Sequence, residues 1–179
     1  TSRRLKNPPL KYTFKIKKKN RAEQIKQMFL KKLSLINYKN LPELEVEFCS
    51  GINCFIGQNG VGKTNLLDTV YYLAFCKSHS NNIDSQNIRH NEGFMMLSGQ
   101  FLRNNIEENI SVGVKKGVKK SFQRNKKEYE RLADHIGLIP LVMVSPKDDV
   151  LISEGSAERR KFIDGVIAQY DKEYLNQLL

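Results

Sequence analysis

Residues 57–64 read GQNGVGKT, and the segments on either side restrict what that stretch can be. Before it, INCFI at 52–56 is a short apolar run bounded by Gly51 and Gly57, the pattern of a strand buried on both faces. After it, in KTNLLDTVYYLAF, Leu66, Leu67, Val70, Tyr71 and Ala74 recur at helical spacing and predict the apolar face of a helix. A glycine-rich loop joining a buried strand to a helix N-terminus is built to hold phosphate. Glycines let successive backbone N–H groups turn inward around an anion. The helix start adds unpaired N–H groups and a favourable dipole. Lys63 is placed to reach β- and γ-phosphates, and the Thr64 hydroxyl to ligate Mg²⁺. The candidate nucleotide-binding residues are Gly57, Gln58, Asn59, Gly60, Val61, Gly62, Lys63 and Thr64, with Thr64 as the metal ligand. A plain glycine turn beside a surface lysine would not need all these parts in this order.

Charge must be located before it is interpreted. The chain of 179 residues carries a formal +11. Residues 1–27 hold ten Lys or Arg and one Glu, for +9; residues 28–179 hold the other twenty bases and eighteen acids, for +2. The leader has NPP and KIKKKN and little apolar periodicity, so the domain is expected to begin at Met28 with residues 1–27 outside it. A basic arm of this kind can also bind nucleic acid by neutralising phosphates. No apolar run approaches the roughly 18 residues of a membrane span, and no apolar segment follows the basic start as in a secretory signal. Cys49, Cys54 and Cys76 form no CxxC pair and no cluster with histidine, which fits reduced thiols and a cytoplasmic setting.

The remaining pattern is α/β. FLKKLSLIN (29–37) reads as a strand, KNLP as a turn, and ELEVEF as a half-buried strand with Leu44, Val46 and Phe48 on one side and Glu43, Glu45 and Glu47 on the other. VKKGVKKSFQRNKK (114–127) packs seven basic residues around Gly117 and a following strand: a solvated hairpin tip, or one that meets nucleic-acid phosphates. The run 141–144 reads as a strand ended by Ser145-Pro146. Asp148 and Asp149 follow that proline, so neither is held at a strand tip as a metal- or water-positioning acid would be. EGSAERRKFIDGVIAQY reads as a helix capped by Ser156 ahead of Glu158, with Phe162, Ile163 and Ile167 on a packed face and Arg159 and Arg160 expected in structural ion pairs, or else bridging lobes or approaching nucleotide or DNA.

The form G-x-N-G-x-G-K-T resembles the loops of ATP-binding-cassette and SMC-type heads, as does the early Tyr38-Lys39-Asn40 turn. MFLKKLSLINYKN, GQNGVGKTNLLDTVYYLAFCKSHS and VSPKDDVLISEGSAERRKFIDGVIAQYDKEYL together resemble the RecF family, from Met28 to Leu179. That resemblance implies a P-loop NTPase fold of the ABC/SMC-like ATPase head type. Lobe I would be a sheet wrapped around the loop's helix over 28–150, and a helical lobe II would start at 151–179, where the chain reads as truncated. It implies ATP and Mg²⁺ as cofactors and Lys39 as a further nucleotide contact. It also implies an ATP-dependent homodimer that binds DNA, at gaps and at single-stranded and double-stranded junctions, and helps load RecA on single strands with RecO and RecR. Two departures stand out. Lys39 occupies a place where the family often has Arg, and Ser80 one where a basic residue is common. The aspartate-ended Walker B strand and the signature loop of such heads are not visible within the 179 residues. Two other readings remain open: another SMC-like head, and a non-hydrolysing DNA-binding module that uses the basic arm.

Overall fold

The structure is a computed structural model that describes residues 28–103, 105–149 and 155–179. The basic leader, the expected lobe boundary at 150 and 151, and the Asp149 side chain lie outside the described residues.

Alternation of apolar and polar residues builds one sheet. β1 (Met28–Tyr38), β2 (Leu41–Glu47), β3 (Phe94–Arg103), β4 (Ile106–Lys115), β5 (Ser121–Arg124) and β6 (Lys127–Glu128) lie in the order β2-β1-β3-β4-β5-β6. Every pairing is antiparallel. The inner face carries Leu33, Leu35, Met95, Leu97, Ile110, Val112 and Phe122, all buried. On it lies α1 (Lys63–Phe75), whose Leu66, Tyr72, Leu73 and Ala74 complete the core. Burying each large side chain contributes roughly 1.5–3 kcal/mol before entropy is counted. Gly99 of β3 admits the close approach: a Cβ there would lie 2.7 Å from the Phe101 ring and 2.9 Å from Leu73.

Three expectations for residues 28–149 are corrected. The helix at 63–75 forms, but its buried face is turned from the expected one. Asp68 and Thr69 are buried while Leu67 is 47% exposed and Val70 and Tyr71 are half-buried. The reason is polar: Asp68 has an ion pair to bury, described below. INCFI forms no strand. Asn53 instead bonds its side chain to the Cys49 and Gly51 carbonyls and accepts from the Cys49 N–H, drawing 49–53 into a local turn that competes with a ladder. Residues 141–144 are likewise unpaired among the described residues, and Val142 and Val144 face solvent.

The C-terminal segment holds α2 (Ser156–Ile167) and α3 (Lys172–Leu178). Gly155, not Ser156, occupies the cap position of α2, and no side chain caps it. Phe162 and Ile163 are about half exposed rather than packed. Docking onto the sheet domain runs instead through buried Ala168 and Leu175, through Gln169, which accepts the Leu141 N–H at 2.9 Å, and through Lys172, which donates to the carbonyls of Ala133, Asp134 and Ile136. Asp171 caps α3, accepting from the Glu173 and Tyr174 N–H groups.

His135 locks α1 to the 129–136 segment. Its Nε2 lies 2.6 Å from the Leu73 carbonyl and its Nδ1 3.0 Å from the Tyr129 hydroxyl. A carbonyl only accepts, so Nε2 carries the proton and Nδ1 accepts from Tyr129. Burial pushes the His135 pKa down to about 4. Between that value and the ordinary 6.5 the unfolded chain binds a proton that the fold refuses. Stability therefore falls as pH drops from 6.5 to 4, by about 3 kcal/mol over the window. Urea midpoints at pH 7 and pH 4.5 should differ accordingly, and His135→Gln should flatten the dependence.

Candidate nucleotide-binding site

The phosphate loop is held by polar groups and by its own glycines. Gly60 and Gly62 adopt φ of 84° and 106°, which side-chain-bearing residues rarely reach. At Gly62 a Cβ would also fall 2.6 Å from Leu41 and 2.9 Å from the Asn40 side-chain oxygen. Gly62 ends the loop and opens α1, with the Leu66 N–H bonded to its carbonyl at 2.8 Å. No side chain caps this helix end and no acid sits in the first turn. The free N–H groups and the positive end of the dipole are thus left for an anion. Lys63 turns back over the loop and donates to the Gly57 and Gln58 carbonyls, both at 2.8 Å. Gln58, Asn59 and Thr64 are exposed; Val61 is half-buried, its Cγ2 set against Gly57. The nominated residues thus form one loop, with the Lys63 ammonium turned back over it and Thr64 exposed in the first turn of α1. Donor set and charge fit a magnesium-bound triphosphate.

Lys39 sits one layer back. At φ 50° in the β1–β2 turn, its ammonium pairs with Asp68 of α1 and donates to Ser78 Oγ at 3.1 Å and Ser80 Oγ at 2.5 Å. The two positions that depart from the family pattern, Lys39 and Ser80, therefore touch each other. Asp68 also accepts from the Tyr38 hydroxyl at 2.8 Å, from Ser78 Oγ at 2.7 Å and from the His79 N–H at 2.7 Å. Burial alone would raise the Asp68 pKa; these donors, Lys39 foremost, outweigh it and hold the carboxyl below its ordinary value. Burial, with the Asp68 charge, drives the Tyr38 phenol far upward, so it stays protonated as a donor.

The sequence reading nominated Lys39 but not its neighbour Asn40, and Asn40 is the residue that touches the loop. Its amide donates to the Gly60 carbonyl at 2.8 Å, and its oxygen accepts from Asn65 of α1 at 2.8 Å. Asp68 was also missed. The signal was present: an acid inside the apolar run of NLLDTVYYL must either break the face or find a partner. Asp148 is engaged structurally, its carboxylate accepting the Ser145 N–H at 2.5 Å. Of the seven bases at 114–127, Lys120 pairs with Asp84 and caps the end of α1 at the Cys76 carbonyl, and Arg124 pairs with buried Glu108. Burial pushes the Cys76 thiol up to about 12, so it is inert. No helix among the described residues is long and apolar enough to cross a membrane.

A strand-turn, a glycine cradle and a helix laid on an antiparallel sheet define a P-loop nucleotide-binding head. Residues 32–178 match a family described as the AAA domain, and the chain belongs to that family. Its named relatives are proteins called DNA replication and repair protein RecF. The one from Bacteroides fragilis is 59% identical over 153 residues, and the one from Phocaeicola vulgatus 60%. Each match takes in 85% of this chain and 41% of the relative, so the chain spans about two fifths of the length of the relatives it matches. A solved structure of the recombination mediator protein RecF with ATP, described in the RecFOR pathway, superposes with a TM-score of 0.81 at 29% identity, over 89% of this chain and 43% of that one. An SMC ATPase structure superposes with a TM-score of 0.59 at 21% identity, over 77% of this chain and 99% of the other, a likeness of fold. The fold is the ABC/SMC-like ATPase head expected from the sequence, and the resemblance to RecF is found in both sequence and structure.

Removing Asp68 would strand a lysine whose side chain is 15% exposed. Breaking such a pair from one side costs roughly 3–5 kcal/mol. Asp68→Ala should lower the unfolding free energy read from a urea titration by that order, and Asp68→Asn, whose one oxygen can still accept from Tyr38, Lys39 and Ser78, by less.

Proposed function

We propose that the chain is the nucleotide-gripping part of a RecF-type ATPase head working in DNA replication, repair and recombination. One observation carries the reading: the uncapped, acid-free N-terminus of α1 with Lys63 folded across it. In this reading the Lys63 ammonium leaves the Gly57 and Gln58 carbonyls for the β- and γ-phosphates, and backbone N–H groups of 60–65 wrap the β-phosphate. The Thr64 hydroxyl holds Mg²⁺, which supplies charge neutralisation on the phosphates. Lys39 backs the loop through Asp68 rather than reaching it from its present place, and Asn40 fixes the height of Gly60. Residues 28–150 form lobe I and 151–179 open a helical lobe II. By resemblance, the intact protein works as an ATP-dependent homodimer on gapped or junction DNA, with RecO, RecR and RecA as pathway partners, in the cytoplasm.

Two tests follow from the site. Lys63→Ala in the intact protein should abolish calorimetrically detectable ATP–Mg²⁺ binding; unchanged affinity would sink the assignment. Residues 28–179 alone should hold nucleotide weakly and not turn it over. Hydrolysis needs a group free to orient water at the γ-phosphate, whereas the Asn40 amide is bonded to Gly60 and Asn65, and the Asp148 carboxylate to the Ser145 N–H. Sustained DNA-stimulated hydrolysis by this segment, lost on Asp148→Ala, would overturn that expectation.

A further inference from the structure

The outer face of the sheet, opposite α1, holds a surface that the nucleotide site does not use. Along β3, Phe94 and Met96 point away from the core and are 43% and 50% exposed, while their neighbours Met95 and Leu97 are buried. Across the ladder Phe94 stands opposite Lys115, and Met96 opposite Gly113. Opposed residues keep their side chains about 4.5–5.5 Å apart on one face, so Lys115 projects beside the Phe94 ring. Gly113 leaves the place next to Met96 without a side chain, and a Cβ there would meet nothing within 4 Å. The result is a flat apolar shelf with an open floor. Beyond it the β4–β5 tip carries Lys116 and Lys119, both exposed, and neither they nor Lys115 form an ion pair among the described residues.

We propose that this shelf is a stacking platform for single-stranded nucleic acid, with bases on Phe94 and Met96 over Gly113 and phosphates on Lys115, Lys116 and Lys119. An exposed ring beside a row of free ammonium groups is the chemistry that single strands use, since every base offers a π-face and every nucleotide a phosphate. A duplex has its bases stacked and offers the ring nothing to lie on. A protein partner is disfavoured because lysines are depleted from the cores of protein interfaces. Lys120 adds rigidity: it sits in the same tip but is bonded to the Cys76 carbonyl and Asp84, which fastens the tip to the end of α1. The shelf also lies at the end of the sheet that carries the β1–β2 turn, since Met96 pairs with Ile36, two residues before Tyr38. The inference rests on the nucleic-acid part of the reading above and leaves its ATP-binding part untouched.

The test uses the intact protein with ATP–Mg²⁺ and a fluorescein-labelled oligo-dT, read by anisotropy across a salt series. Phe94→Ala should weaken binding roughly 5- to 150-fold, the worth of one stacked base, with the salt slope unchanged, and Phe94→Tyr should restore it. Lys115→Ala/Lys116→Ala/Lys119→Ala should instead flatten the slope of log K against log salt by about 2, three contacts at about 0.7 each. Lys126→Ala/Lys127→Ala, at the far end of β5, should leave the oligo-dT affinity close to wild type and serves as the control. These side chains do not touch the phosphate loop, so the melting shift caused by ATP should survive in every variant and reports intact folding. An unchanged affinity in Phe94→Ala would overturn the proposal. So would a lysine variant with wild-type slope, an equal loss in the control, or an equal effect of Phe94→Ala on duplex binding. A wild-type protein that binds ATP but no oligo-dT would also overturn it, with the nucleotide reading still standing; a protein that binds no ATP would fail that reading instead.

Discussion

Asp68 is the group on which the site's architecture rests. A carboxylate 2% exposed inside a helix is unfavourable unless its oxygens are filled, and here they take Lys39, Tyr38, Ser78 and the His79 backbone. The donors come from the β1–β2 turn and from the segment after α1. One buried acid therefore gathers three pieces of chain, adding to the Asn40–Asn65 bond and to the Lys39 N–H bond with the Asn87 carbonyl. It also explains the face that α1 buries: apolar periodicity alone would have turned Leu67 and Val70 inward.

The consequence reaches the phosphate loop through Asn40. Lys39 fixes the turn from one side, and the next residue bonds Gly60 and Asn65 from the other. The loop needs positive φ at Gly60 and Gly62, conformations that a free chain visits among many others. A cradle preset by a buried ion pair has less ordering to do when an anion arrives. At the opposite end of α1, His135 and Lys120 bond the Leu73 and Cys76 carbonyls, so the helix is tied at both ends by side chains from distant segments.

What the sequence disclosed was what local chemistry alone decides. The loop was legible because glycine, lysine and threonine at those spacings have one common use, and β1, β2, α1 and the tip at Gly117 were legible from period and turn residues. The β3–β4 hairpin was obscured because β3 is apolar on both faces at its start: Phe94 and Met96 outward, Met95 and Leu97 inward. INCFI and 141–144 read as strands because apolar runs do, but a strand also needs a neighbour to pair with, and the described residues place none beside them. Side-chain pairs far apart in sequence, such as Lys39 with Asp68 or His135 with Leu73, leave no spacing to read. Only the isolated acid in NLLDTVYYL hinted at one.

The same geometry brings the loop-bearing turn and the outer-face shelf to one end of the sheet. β1 ends in the turn whose Asn40 bears on Gly60, and two residues before that turn Ile36 pairs with Met96 of β3 on the outer face. Close-packed interiors do not absorb small displacements by yielding locally, and the turn itself is held rigid by the Asp68 network. The Asn40–Gly60 contact is one exposed hydrogen bond, worth about 1 kcal/mol, so a displaced Gly60 parts from Asn40 before the buried ion pair yields. The antiparallel ladder between β1 and β3 runs eight residue pairs with one irregularity, at Leu30 and Lys32. That irregularity lies at the far end from the turn, so β1 is regular where it pairs with Met96 and leads into the turn that bears on Gly60.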